Sequence, residues 1–133
     1  MRKKARESAF KIIYQSMFIK DNFASEEILE EDEILDKESK GFVETLIQLY
    51  KDNAEEINNL INSKLKGYTP DRVYKIDRAI LCLGVTEILY YKETPFKIVV
   101  NECVEMAKKY STEKSYSFIN GVLKAVTEGV YGN

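Results

Sequence analysis

Two stretches of this sequence combine residue types that do chemistry together. Near the amino end, Arg2, Lys3, Lys4 and Arg6 fall where a helical pattern begins. Cations there oppose the helix macrodipole by a few tenths of a kcal/mol each, and local rules are most often broken where function requires it. Guanidinium and ammonium groups beside free backbone N–H donors make a phosphate-binding end. A solubilising terminal tail is the competing reading. Near the carboxyl end, Lys108, Lys109 and Lys114 are interleaved with Tyr116 and Phe118. Single-stranded nucleic acid needs that pairing, cations for phosphate and rings for base stacking. The alternative use of Phe118 is core packing beside its i+4 neighbour Val122.

Other chemistry is excluded by what the chain lacks. It contains no histidine, which removes Ser-His and Cys-His catalytic pairs and every His-ligated metal site. No phosphate-binding loop, GxGxxG, GxSxG or CxxC motif occurs. Cys82 and Cys103 sit inside apolar stretches and read as small buried hydrophobes, not as a disulfide or a zinc site. Glu102, Glu105, Lys108 and Lys109 have the spacing of a charged helix face. Asp77, Arg78 and Glu87 are the only charges among the fifteen residues 76–90. A charge beside so apolar a run requires water, an internal partner or a protein interface.

The net charge of −2 conceals a partition: residues 1–20 carry +5, residues 21–60 carry −10 and residues 61–133 carry +3. A polyanion responds to local charge, so the average does not argue against nucleic acid. No stretch reaches the roughly 18 apolar residues of a membrane span. Lys11, Gln15 and Ser16 interrupt residues 9–19, so a signal peptide is not expected. A reducing cytoplasm is the expected address.

The elements that must position these groups are helical. Phe10, Ile13, Tyr14 and Met17 predict a helix over 3–19, stopping at Asp21-Asn22. In the acidic segment 25–38, Ser25 caps a short helix that touches the core through Ile28 and Leu29, and the rest is solvated loop. Phe42, Val43, Leu46, Leu49 and Tyr50, then Ile57, Leu60, Ile61 and Leu65, predict a long helix over 39–65, bent or broken at Asp52-Asn53. Gly67 and Pro70 punctuate the chain and place a boundary near 66–70. The unbroken apolar run 79–85 makes 71–91 the central, fully buried helix, with a buried strand as the competing reading. Helices over 98–110 and 113–128 follow, the first introduced by Thr94-Pro95, the second capped by Ser111-Thr112 and ended by Gly129 and Gly132. Asn120-Gly121 is a hairpin signal, but the flanking period is 3.6, so a helix is expected there, with Gly121 admitting a neighbouring helix. The fold class is all-α, with six or seven helices in one domain, 1–133.

Four blocks then carry a family resemblance. They are Arg2-Lys3-Lys4-Ala5-Arg6-Glu7-Ser8-Ala9 running on to Tyr14-Gln15; Asp77-Arg78-Ala79-Ile80-Leu81 with Glu87-Ile88-Leu89; Pro95 through Lys108; and Ser115-Tyr116-Ser117-Phe118-Ile119-Asn120-Gly121-Val122-Leu123. In this order the chain resembles the NusB family of bacterial transcription antitermination factors, the acidic segment matching least. The resemblance implies two packed helical bundles, about 1–67 and 68–133, with no enzymatic activity and no cofactor. It implies binding of boxA-type single-stranded RNA as a heterodimer with NusE, a small-subunit ribosomal protein. That complex joins other Nus factors on RNA polymerase and suppresses premature termination in ribosomal RNA operons. By position, Arg2, Lys3 and Arg6 with Lys114, Ser115 and Phe118 would face RNA, and Tyr14, Phe18 and Asp77 would face NusE. Lys114 departs from members that carry an acid there, and Tyr116 and Ser117 from more polar or basic residues. The aromatic side of the first helix also suits a homodimer that would mask the RNA surface. Two other readings are a protein-interaction module without RNA specificity and an accessory domain related to RNA methyltransferases.

Overall fold

The computed structural model describes residues 2–19 and 35–131. The expected short helix of the acidic segment, the stop at Asp21-Asn22 and Gly132 lie outside them. The described residues form five α-helices: α1 (Arg2–Ser16), α2 (Lys37–Ser63), α3 (Lys75–Thr86), α4 (Phe96–Tyr110) and α5 (Ser115–Tyr131). A 3-10 turn (Pro70–Arg72) precedes α3, and a π-helical segment (Glu87–Tyr91) follows it without a break. The chain is thus all-α, with fewer α-helices among the described residues than the six or seven expected.

Residues 39–65 form one helix with a kink. Asp36 caps α2 by accepting a hydrogen bond from the Ser39 amide at 2.8 Å, so the helix starts two residues before Ser39. Asn53 leaves helical geometry (φ −129°, ψ 18°). Its side-chain amide donates to the Leu49 carbonyl at 2.8 Å, a local bond that competes with the helix ladder. The residues expected to form one helix over 71–91 divide into three pieces. Tyr74 is extended (φ −58°, ψ 141°), which separates the Pro70 turn from α3. Beyond Thr86 the helix widens into the π segment, closed by Lys92 in the left-handed region (φ 63°). The Thr86 hydroxyl donates to the Cys82 carbonyl at 2.6 Å at this junction.

Helix α3 is the axis of the core. Every residue from Ala79 to Ile88 is buried, and α1, α2, α4 and α5 all pack against it. The buried strand alternative does not occur. The close approach expected at Gly121 is found at Gly84 instead. A Cβ on Gly84 would lie 2.8 Å from the Cys103 sulfur and 3.3 Å from the Leu123 methyls, whereas one on Gly121 would meet nothing within 4 Å. Gly129 does not end α5. The helix continues to Tyr131, whose ring stacks on Phe96 at 5.2 Å and whose hydroxyl donates to the Ile88 carbonyl at 3.3 Å. Those contacts hold the last turn wound past the glycine. Both cysteines are free and buried; burial pushes the Cys82 thiol up to about 11.

Candidate nucleic-acid interface

The two basic ends meet across the end of α4. The Lys109 ammonium, in the last turn of α4, reaches the Glu7 carboxylate of α1 at 2.8 Å. That hydrogen bond raises the lysine above its ordinary value. Lys11 and Lys109 stand 5.9 Å and 5.2 Å from the Tyr110 ring, and Phe10 of α1 packs on the same ring at 5.2 Å. Lys108 lies 5.2 Å from the Tyr116 ring at the start of α5. Cations and rings therefore alternate from α1 over the α4 terminus to α5, a pattern that cation–π attraction stabilises. Lys3, Lys4, Lys11, Lys108 and Lys114 are exposed.

Arg2 and Arg6 take a different direction, towards α2 and the π segment. The Arg2 guanidinium stacks 3.8 Å over Phe42, donates to the Tyr91 hydroxyl at 3.2 Å and lies 3.6 Å from Glu38. Arg6 is 5% exposed. It donates twice to the fully buried Glu87 carboxylate, at 2.8 and 2.7 Å. Burial draws the guanidinium pKa down, and the hydrogen bonds and charge of Glu87 reverse this and leave it raised. Arg6, expected to contact phosphate, is thus placed beneath the surface with donors committed to Glu87, apart from the exposed lysines. The unfavourable placement of cations at this helix start is thus compensated by tertiary partners for Arg2 and Arg6.

Asp77 is likewise internal. It is 3% exposed and accepts hydrogen bonds from Ser111 at 2.6 Å and Ser115 at 2.9 Å. The Ser115 hydroxyl also lies 2.8 Å from that of Thr112. The first turn of α3 thereby latches the α4–α5 connection. The side chains of Asp77 and Ser115 thus bond each other at the base of the cleft that both line, and support its wall. Lys114 and Phe118 flank that support. They line a cleft of about 770 Å³ with Tyr68, Arg72, Tyr74 and Asp77. The half-buried Phe118 ring meets Tyr68 at 5.0 Å. Phe118 thus both packs on the core margin and presents an edge to the cleft.

The residues expected to face a protein partner divide in the same way. Tyr14 and Phe18 form an edge-on ring pair at 4.9 Å, Lys75 sits 5.2 Å from the Phe18 ring, and Phe18 is 57% exposed. Asp77 lies beneath α3's start. Sequence reasoning missed Tyr68, Arg72 and Tyr74, because the turn around Pro70 reads only as punctuation. Their signal was two tyrosines and an arginine in a seven-residue interhelical stretch, 68–74.

Comparison with known proteins places this architecture. The model of the NusB family matches residues 3–128. The transcription antitermination protein NusB of Finegoldia magna is 39% identical, over 94% of this chain and 92% of that protein. That of Ruminiclostridium cellulolyticum is 36% identical, over 96% and 89%. Among solved structures, T. maritima NusB superposes with a TM-score of 0.86 at 35% identity, covering 96% of this chain and 91% of that one. A crystal structure of antitermination factors NusB and NusE in complex with dsRNA superposes with a TM-score of 0.88 at 32% identity, covering 96% of both chains.

Proposed function

The chain belongs to the NusB family, and on that premise we propose that it is a transcription antitermination factor that binds boxA-type RNA together with NusE. In this reading it promotes processive transcription of ribosomal RNA operons in the cytoplasm, with the other Nus factors and RNA polymerase reached through the complex. It acts by binding and carries no catalytic activity of its own. The single observation that carries the reading is the alternation of cations and rings across the α1, α4 and α5 junction, where Lys109 ties α1 to α4 and Lys108 and Lys114 border Tyr116 and Phe118. Charge supplies phosphate attraction, and the rings offer stacking surfaces.

Within this surface Lys3, Lys114 and Phe118 contact RNA, with Arg2 at its margin. Arg6 and Ser115 hold α1 and α5 in place beneath it. The NusE-facing surface is built on Tyr14 and Phe18, extended by Lys75 and the 62% exposed Tyr74. Asp77 fixes the helix start that carries the last two.

Titration of labelled boxA-type RNA and a scrambled control, with and without NusE and at two salt concentrations, tests the reading. The expected result is tighter, salt-sensitive binding to boxA that NusE enhances. Lys114→Ala should lower the slope of log K against log salt by about 0.7. Equal weak binding to both RNAs, unaffected by NusE, would replace the antitermination reading with a protein-interaction module.

A further inference from the structure

Beyond the α5 start, the surface continues in a direction that the sequence blocks did not mark. The Tyr68–Phe118 ring pair divides two clefts. The first holds Arg72 and Lys114. The second, of about 610 Å³, runs along the outer face of α5 and is lined by Lys64, Lys66, Ser117 and Gly121. Tyr68 is 49% exposed and is carried by a turn that Gly67 makes possible at φ 77°. Glu113 and Lys114 line both clefts, and the first also holds Asp77, so two acids stand against four cations. Gly121 adds an independent indication. A glycine inside a helix costs stability relative to alanine, and this one returns no packing, since nothing lies within 4 Å of its absent Cβ. Its effect is to leave the second cleft open at that position, between Ser117 and Ala125.

We propose that this second cleft is an extension of the RNA site: the strand passes over the Tyr68–Phe118 pair, which stacks a base, and its backbone runs on past Lys66 and Lys64 above Gly121. The inference rests on the RNA-binding reading and adds a path, a stacking residue and two phosphate contacts to it. A strand fits better than a folded protein segment, because the cleft combines cations with aromatic edges at its entrance and a wall of small residues, Ser117, Gly121 and Ala125.

The test uses the full chain with NusE and two sets of labelled RNA: the boxA segment alone, and the same segment extended by six or so nucleotides on either side, long enough at single-strand spacing to cross the cleft. Wild type should bind one extended RNA more tightly than the short one. Tyr68→Ala should weaken binding about tenfold, with Tyr68→Phe near wild type. Lys64→Gln with Lys66→Gln should abolish the gain from extension and lower the salt slope by about 0.7 for each lysine. Gly121→Gln should raise the melting temperature while also abolishing that gain, so a folding defect cannot account for it. No gain from either extension, or a gain that survives in both the lysine pair and Gly121→Gln, would overturn the extended path while boxA preference leaves the RNA reading intact. Loss of boxA preference in the wild type would overturn both.

Discussion

Arg6 and Glu87 illustrate how a functional-looking residue becomes structural once its partner is known. Eighty-one positions separate them, yet two charge-assisted hydrogen bonds join them in the interior. Removing one partner of such a pair leaves a buried charge unsatisfied, at a cost of about 3–5 kcal/mol, whereas replacing both by apolar residues of similar volume is often close to neutral. Arg6→Ala should therefore lose about 3–5 kcal/mol in urea unfolding, and Arg6→Met with Glu87→Leu should recover most of it. RNA affinity and salt slope in the stable double variant then separate the two roles of Arg6. Values at wild-type level assign it to positioning, and a slope lower by about 0.7 restores it as a phosphate contact. The oddity of both charges was legible in the sequence, one at a helix start that disfavours cations and one in an apolar run. Their pairing was not, because it joins residues 81 positions apart through the packing of α1 against the end of α3. Asp77 had the same fate: its isolation was visible, but the hydroxyls that satisfy it lie 34 and 38 positions away.

At the scale of elements, the meeting of α3, α4 and α5 sets the tolerance of the core. Gly84 lets the Cys103 sulfur and the Leu123 methyls approach α3 at distances no side chain would allow. Gly84→Ala should destabilise by about 1–3 kcal/mol, the usual cost of overpacking. Cys103→Ala removes the closest atom, so the two substitutions together should cost less than the sum of each alone. A double-mutant cycle in urea measures that coupling, and strict additivity would mean that the helices shift apart instead. The 3.6-residue period exposed α2, α4 and α5 in the sequence, because each buries one stripe, and it exposed α1 through Phe10, Ile13 and Tyr14 although residues 5–10 are buried on every side. It also exposed the burial of α3. It could not reveal which glycine admits a neighbour, since Gly84 and Gly121 both sit inside apolar helical runs and only the tertiary arrangement distinguishes them. Nor could it divide residues 71–91, where no glycine or proline marks the extended Tyr74 and the apolar run continues through the widening after Thr86. Phe118 and Lys114 were legible as a basic and aromatic pair; Tyr68, their companion in the cleft, was hidden in an interhelical stretch without periodicity.

For the whole molecule, the charge partition and the central helix lead to one expectation. The exposed acids Glu44, Asp52, Glu55 and Glu56 lie on α2, while the exposed lysines at positions 3, 4, 11, 108 and 114 lie on α1, α4 and the start of α5. Such a separation orients an approaching polyanion, an effect that weakens as salt rises. It also requires α1 to stay fixed against α4 and α5, across the boundary near 66–70. The ties that do this are Arg6 to Glu87 and Glu7 to Lys109, together with the burial of Ala5, Ala9, Ile12 and Ile13 in the core shared with α3. We propose that the two halves, 1–67 and 68–133, unfold as one unit. The chain has nine tyrosines and no tryptophan, so near-ultraviolet dichroism reports tyrosine packing, including Tyr50 in the first half and Tyr110 in the second. Urea transitions followed by near- and far-ultraviolet dichroism should coincide in the wild type. In Arg6→Ala they should move together to lower urea, because the lost pair joins the halves and does not belong to either. Two resolved steps in the wild type would make the halves independent domains. Separation of the two transitions in Arg6→Ala alone would identify the buried pair as the contact that makes them one.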